Sequence, residues 1–443
     1  MAIANVGKSG TTVVAPSSTT TNYAAAMAMV TTLFFMWGFV TCLNDILIPH
    51  LKSIFELNYA QVMMVQFAFF SGYCIFAYPA IKIVEWIGYK KTMVTGLLAM
   101  AVGALVFLPA AGVPAFGIFL VALAIVAAGM TLLQVSANAY VSILGSPEHA
   151  SSRLNLAQGF NSLGTTVAPF FGSFLILSSV AKTSAEIHAM NPAALQAYRL
   201  EQASTVKLPY ILIAVALLVL AGVIGMFKLP AILTAGDAVD SEDPNTRHAL
   251  SIWRHKHLVL GIVAIFVYVG AEVAIGSFLV NYFTQPYISS MSEKQAAFYV
   301  SFYWGGAMVG RFIGSAILQK MKAGTLLGLV AIVACLLVTT SMLTFGTVAM
   351  WTMLLVGLFN SVMFPSIFTL GIAGLGPLTG RGSGLLVAAI VGGAIIPVLE
   401  GSVADHIGIH HAFILPAVCY LYIAFYGFRG SRQRSGLALA ATA

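Results

Sequence analysis

The stretch Arg153-Leu154-Asn155-Leu156-Ala157-Gln158-Gly159-Phe160-Asn161-Ser162-Leu163-Gly164-Thr165-Thr166-Val167-Ala168-Pro169 has a partner later in the chain. Arg381, Gly392 and Pro397 repeat the spacing of Arg153, Gly164 and Pro169 at a constant offset of 228 residues, about half the chain. Each stretch opens an apolar run long enough to approach the ~20 residues that cross a bilayer as a helix. A repeat at that interval predicts two halves built alike. Both helices start on the same side, so the halves share one orientation and are related by an axis along the membrane normal.

Working outward, twelve apolar segments can be marked, near 24–48, 59–83, 92–111, 114–142, 153–180, 207–229, 258–283, 295–318, 324–344, 348–374, 381–404 and 409–429. The two repeated stretches fall on the fifth and eleventh. The runs are continuous rather than alternating, which excludes an outer-membrane barrel. Charged residues are 8% of the 443 and hydrophobic residues 59%, against ~25% charged in a soluble domain. So few charges cannot cover a soluble surface. The fold class is therefore all-α and polytopic, with twelve transmembrane helices in two pseudo-symmetric six-helix bundles.

The net charge is +7. The basic residues lie in short loops, which points to membrane orientation and away from nucleic acid. With both termini on one side, fifteen Lys and Arg flank the helices there and five flank them on the other side. That bias makes the first side cytoplasmic. The expected organisation is a disordered cytoplasmic tail (1–23), an N-terminal bundle (24–229), a cytoplasmic linker (230–257), a C-terminal bundle (258–429) and a cytoplasmic tail (430–443). The linker ends in Arg254-His255-Lys256-His257, whose histidines read as solvated. Cys42, Cys74, Cys335 and Cys419 lie far apart in apolar runs and read as small core residues. A monomer is expected.

Ionisable groups inside spans are costly, about 2.5–3.5 kcal/mol at a helix centre, and are kept for a cavity or a partner. Asp45 follows Trp37 and Thr41 by eight and four residues, so the three share a helix face. An indole, a hydroxyl and a carboxyl on one stripe suit a polar ring-shaped ligand. A desolvated carboxyl there can also carry a proton. Capping of the helix end near Pro49 is the alternative for Asp45. Glu272 lies near the middle of span seven, either facing a ligand or answering a neighbouring polar group. Glu400 reads as interfacial. Arg311, in span eight, reads as snorkelling or pairing with a gate acid.

Amides come next. Gln134 and Asn138 are one turn apart; Asn155, Gln158 and Asn161 follow in span five, Asn281 in span seven and Asn360 in span ten. Amides donate and accept, which suits sugar hydroxyls; helix–helix bonding is the plainer use. Gly305, Gly306, Gly310 and Gly314 read as packing positions. No nucleophile–base constellation and no phosphate-binding glycine loop are visible, which speaks against an enzyme and against ATP as energy source.

Glu85-Trp86-Ile87-Gly88-Tyr89-Lys90-Lys91 resembles the acidic–x–x–Gly–x–basic loop of the major facilitator superfamily, with Trp86 in place of the usual arginine. Asn44-Asp45-Ile46-Leu47-Ile48-Pro49, Arg153-Leu154-Asn155-Leu156-Ala157-Gln158, Asn161-Ser162, the Tyr268–Asn281 segment and Asn360-Ser361-Val362-Met363-Phe364-Pro365 resemble that superfamily's fucose/glucose/galactose:proton symporter family, over most of 30–425. The resemblance implies proton-driven monosaccharide uptake across a bacterial inner membrane. It implies Asp45 as the proton carrier and Gln158 as a sugar contact. The fucose branch has a second acid in span four, where this chain has Gln134, so the chain is more similar to the glucose/galactose and N-acetylhexosamine branch. Ala139 stands where many relatives have proline.

The expected function is symport of a hexose with a proton by alternating access. Trp37, Asn44, Gln134, Asn138, Gln158, Asn161, Glu272, Asn281 and Asn360 would contact substrate. Glu85, Lys90, Arg153, Arg311 and Arg381 would gate. No cofactor is called for, and the coupling ion is H+ or, as in some relatives, Na+. An uncoupled facilitator, an amphiphile exporter and a membrane sugar sensor stay open as alternatives.

Overall fold

The computed structural model describes residues 23–55, 59–112, 116–175, 190–195, 197–198, 207–230 and 252–433. Side chains are described for 23–42, 70–109, 117–168 and the described residues from 190 onward. The N-terminal tail through residue 22, the linker from 231 to 251 and the tail from 434 lie outside the described residues.

The N-terminal half holds α1 (Tyr23–Phe55), α2 (Tyr59–Gly112), α3 (Phe116–Ile143), α4 (Ala150–Leu175) and α5 (Lys207–Met226). The C-terminal half holds α6 (Lys256–Phe283), α7 (Glu293–Ile317), α8 (Ala323–Leu343), α9 (Gly346–Asn360), α10 (Met363–Ile372), α11 (Thr379–Ala388), α12 (Gly392–Ile407) and α13 (Ile414–Phe425). Nine stretches among the described residues are long and apolar enough to cross a membrane. One of them, Phe70–Pro109, runs through α2. Gly88, with φ 77° and ψ 169°, breaks α2 into two arms, and only a residue without a Cβ takes that backbone freely. The polar helices α4 and α7 are not among the nine. With them, and with α2 taken as two arms, the helices correspond to the twelve segments marked in the sequence.

Three of these segments are broken, span twelve at Phe413 between a short helix, Ile409–Ala412, and α13. Span ten splits into α9 and α10 at Ser361–Val362, just ahead of Pro365, which has no N–H for the helical ladder. Span eleven passes through a single 3₁₀ turn, Ala389–Val391, between α11 and α12. In contrast, α7 starts cleanly. Ser292 caps it, its side chain accepting from the Gln295 N–H while the Gln295 side chain accepts from the Ser292 N–H.

The repeat is visible in packing. A Cβ on Gly164 would lie 2.2 Å from the Phe35 carbonyl oxygen of α1. A Cβ on its counterpart Gly392 would lie 2.0 Å from the Phe266 carbonyl oxygen of α6. Each half thus presses its fifth helix against its first at a glycine. Of the four glycines expected to pack on α7, Gly306, Gly310 and Gly314 meet α9 or the residues just beyond it. Gly305 meets nothing within 4 Å. Among the cysteines, Cys419 is buried and Cys74 is exposed, so the expectation of core positions fails at Cys74. The expectation that the linker histidines are solvated fails at His257. That ring is buried and its Nε2 lies 2.9 Å from the Ala373 carbonyl, tying the start of α6 to the end of α10.

Gly164→Ala and Gly392→Ala should each cost about 1–3 kcal/mol as overpacked contacts. Gly222→Ala, which meets nothing within 4 Å, should leave stability unchanged. Thermal midpoints read by size-exclusion of heated samples check this; equal midpoints for all three would overturn the close-contact account.

Candidate functional site

Three of the expected amides form a row in the middle of the N-terminal half. Asn138 Nδ2 donates to Gln134 Oε1 at 3.3 Å, and Gln158 Nε2 donates to Asn138 Oδ1 at 3.3 Å. All three side chains are buried, on two helices that the row stitches together. Asn161, one turn beyond Gln158, turns the other way: its Nδ2 donates to the Phe34 carbonyl of α1 at 3.0 Å. Trp37 is also buried, with its ring 5.4 Å from Phe34. Thr41 points at Met130 of α3, Oγ1 to Sδ 3.6 Å. Asn44 and Asp45 continue α1, but their side chains lie outside the described residues. Eight residues of helix put Asp45 about 12 Å beyond Trp37 along α1.

The C-terminal half gathers a second polar cluster, centred on Asn360 at the break between α9 and α10. Asn360 Nδ2 donates to the Tyr303 hydroxyl at 2.8 Å, and the Tyr420 hydroxyl donates to Asn360 Oδ1 at 2.8 Å. Tyr268 donates to the Asn360 carbonyl at 3.1 Å. Tyr303 in turn donates to the Glu272 carbonyl at 3.3 Å. Four helices, α6, α7, α9 and α13, are held at one asparagine. The Glu272 carboxyl borders this cluster, and one of its oxygens is buried without a hydrogen bond.

Arg311 stands between the two clusters. Its Nη1 donates to the Ser162 hydroxyl and, at 3.4 Å, to the Gln158 carbonyl, both on α4. Asn155 of α4 donates to the Arg311 carbonyl at 2.6 Å. Glu272 of α6 is the acid of its own half near the guanidinium, and among the described residues no ion pair joins the two. Its Nε is buried, so the side chain does not snorkel.

Below Arg311 the halves meet over a wide seam on the face where the linker leaves and enters. Arg381 Nε donates to Glu85, and Lys82 lies 3.5 Å from the same carboxylate. Ser151 and Thr369 share a hydrogen bond of 2.5 Å. Ser152 Oγ donates to the Ser315 carbonyl at 2.7 Å and Ser315 Oγ to the Ser152 carbonyl at 2.9 Å. Ser383 donates to the Val135 carbonyl at 2.7 Å. Phe312 packs edge-on against Phe160, ring centroids 5.9 Å apart. Every one of these links lies between the linker face and the middle of the helices.

Two like halves, polar clusters at mid-depth and a seam closing one face describe a transport protein, and comparison with known proteins agrees. The family model for the Major Facilitator Superfamily matches residues 25–390. The chain belongs to that superfamily. It is 50% identical over 417 residues to the glucose/galactose transporter of Brucella abortus biovar 1 (strain 9-941), covering 94% of this chain and 97% of the relative. It is 36% identical over 405 residues to the L-fucose-proton symporter of Escherichia coli (strain K12), covering 91% and 92%. A crystal structure of the superfamily transporter FucP in the outward conformation matches with a TM-score of 0.86 at 34% identity, covering 93% of this chain and 100% of that one. These relatives are transporters, and this chain is not an enzyme.

For a Major Facilitator protein the seam is what must open in turn. The expected gate residues divide accordingly. Glu85 and Arg381 come together across the halves. Lys90 does not join them; it donates to the Gly225 carbonyl of α5 at 2.8 Å. Arg153 donates to the carbonyls of Val141, Ser142 and Ser146, closing the end of α3 within its own half. Asn281 is exposed near the end of α6, away from both clusters. Glu400, expected at the interface, is instead 1% exposed, because α12 turns it toward α6 and α13 rather than outward. Sequence reading missed Tyr268, Tyr303 and Tyr420, since an aromatic ring in an apolar run hides its hydroxyl. It also missed the serines of the seam, whose only signal is their place near Arg153, Arg311 and Arg381.

Arg381→Gln should loosen the seam. A partly exposed ion pair is worth up to about 1 kcal/mol, or about five-fold in an equilibrium. In a chain with its four cysteines replaced and Ser315→Cys added, thiol labelling should quicken by that factor. Unchanged labelling would mean the pair does not hold the face shut.

Proposed function

We propose that the chain imports a hexose, of the glucose/galactose type or an N-acetylhexosamine, with a proton, by alternating access across a bacterial inner membrane. The observation that carries this reading is the 50% identity, over 94% of the chain, to a protein named as a glucose/galactose transporter. The buried amide row supports it, since neutral groups that both donate and accept match sugar hydroxyls. Proton coupling draws support from the fucose-proton symporters among the relatives. The excess of Lys and Arg on the linker face supports a cytoplasmic linker and cytoplasmic termini. On that orientation the closed seam faces the cytoplasm and the conformation is outward-facing, as in the matched FucP structure.

In this reading Gln134, Asn138, Gln158, Asn161 and Trp37 form the sugar wall of the N-terminal half, with Asn44 above them. Glu272 and Asn360 face it from the other half. Asp45 takes a proton from the outside and loses it inside. The chain acts as a monomer, with no cofactor beyond its coupling ion. An uncoupled facilitator is the second reading, favoured by Gln134 at a position that is acidic in the fucose branch.

Proteoliposomes separate the two. Sugar added outside should alkalinise the medium, and Asp45→Asn should abolish uphill accumulation while retaining counterflow of labelled sugar. Full gradient-driven accumulation by Asp45→Asn would remove Asp45 as carrier. Sugar movement with no pH change in the unaltered protein would favour the facilitator.

A further inference from the structure

Glu400 is a carboxyl sealed inside the C-terminal half with nothing to answer it. Both of its oxygens are buried and neither has a hydrogen-bond partner. Its surroundings are set by the elements packed on α12. On α13 its neighbours are the Cys419 thiol and the Tyr420 hydroxyl. On α6 the ring of Phe278 would lie 3.5 Å from a Cβ on Gly401, and residues 273–281 carry no ionisable side chain. On α12 itself Asp405 and His406 are exposed, a turn or more away. In the turn Ile409–Ala412, His410 is buried against the Tyr282 hydroxyl at 3.1 Å, while His411 is exposed. The second arm-bearing neighbour, α2, reaches α12 through Phe70 at Gly393, about two turns short of Glu400. Among the described residues no Lys or Arg is paired with Glu400.

An ionised carboxyl left unpaired and unbonded in such a place costs several kcal/mol. The group is therefore a neutral acid in this conformation, with its proton held on one of the two oxygens. A neutral acid without a hydrogen bond contributes nothing to packing that a leucine would not, so stability alone does not account for it. Its setting suggests more. Tyr420, near both Glu400 and Glu272, commits its single hydroxyl proton to Asn360. Glu400 thus borders the network that runs through Asn360 and Tyr303 to Glu272 and the midline arginine. That network is anchored on Asn360 at the break in span ten and on α13.

Resting on the proton-coupled sugar reading, we propose that Glu400 is a second proton-binding site of the transport cycle, lodged in the C-terminal half. It holds its proton while the linker face is closed. On changeover the carboxyl O–H bond breaks, the proton passes to water and the carboxylate remains. The bond re-forms when the chain returns.

The test uses the full chain in proteoliposomes, with glucose and galactose as probes. Glu400→Gln, which keeps shape and neutrality, should retain counterflow within a factor of about two. The protons moved per sugar should fall by about half, and the sugar-induced infrared difference spectrum should lose one carboxyl C=O band. A Glu400→Gln protein with unchanged proton-to-sugar ratio and unchanged bands overturns the proposal and leaves a merely buried acid. Should Glu400→Gln fail to fold, Glu400→Asp carries the measurement: its carboxyl band must shift position and still respond to sugar, and a band indifferent to sugar and pH overturns the proposal. An unaltered protein that moves sugar without protons overturns the coupled reading itself; a coupled protein with a silent Glu400→Gln overturns this proposal alone.

Discussion

A guanidinium inside a membrane protein must find acceptors wherever the protein moves it, because lipid offers none. Arg311 meets that demand with acceptors on α4, across the midline. Ser162 and Gln158 accept from it across the interface, while Glu272 lies near it in the same half without an ion pair. Parting the halves on the linker face removes the first two and leaves the third. The Glu272 carboxyl, near the guanidinium in the same half, is then the acid left to receive it. The rest of the site is arranged around these two groups, with neutral amides on one side and a tyrosine-bound asparagine on the other.

The repeat makes the two halves alike in packing and unlike in chemistry. Gly164 and Gly392 do the same job, admitting a carbonyl of the first helix in each half. Arg153 and Arg381 hold equivalent places but do different work. Arg153 spends its donors on three carbonyls of its own half, making the α3–α4 corner a rigid unit. Arg381 crosses to Glu85 and is half solvated, so its bond is cheap to break. A rocking mechanism needs both kinds of contact: stiff ones that keep each half a body, and weak ones that let the bodies part.

Much of this was legible in the sequence and some was not, for identifiable reasons. The spans and the halves stand out because lipid demands continuous apolar runs, and the fifth-helix repeat survives as an Arg–Gly–Pro spacing. The amides at 134, 138 and 158 were legible because a polar side chain in such a run is conspicuous. What escaped was whatever depends on direction rather than composition. Lys90 and Arg153 look like gate residues by position, yet their side chains turn to backbone carbonyls. Glu400 lies near a helix end by count, yet its side chain is buried on the side of α12 that packs against α6 and α13. Asn360 was singled out as an amide, but its role as the hub of three tyrosines rests on which helices meet at the span-ten break. No local pattern announces that meeting.

The lengths of the bonds in the two clusters suggest how the proposed sugar would be read. In the N-terminal row both amide–amide bonds are 3.3 Å, near the long end for N–H···O. In the C-terminal cluster the two bonds to the Asn360 side chain are 2.8 Å. A ligand hydroxyl entering the row would exchange weak bonds for strong ones, whereas entering the Asn360 hub would break good ones. In the proposed reading, recognition by hydroxyl pattern falls to Gln134, Asn138 and Gln158. An epimer that misplaces a hydroxyl would leave one of these buried amides unpaired, the kind of mismatch that discriminates strongly. The hub, by contrast, holds α6, α7, α9 and α13 at one asparagine, so in the proposed reading the N-terminal row changes partners while the hub keeps its own.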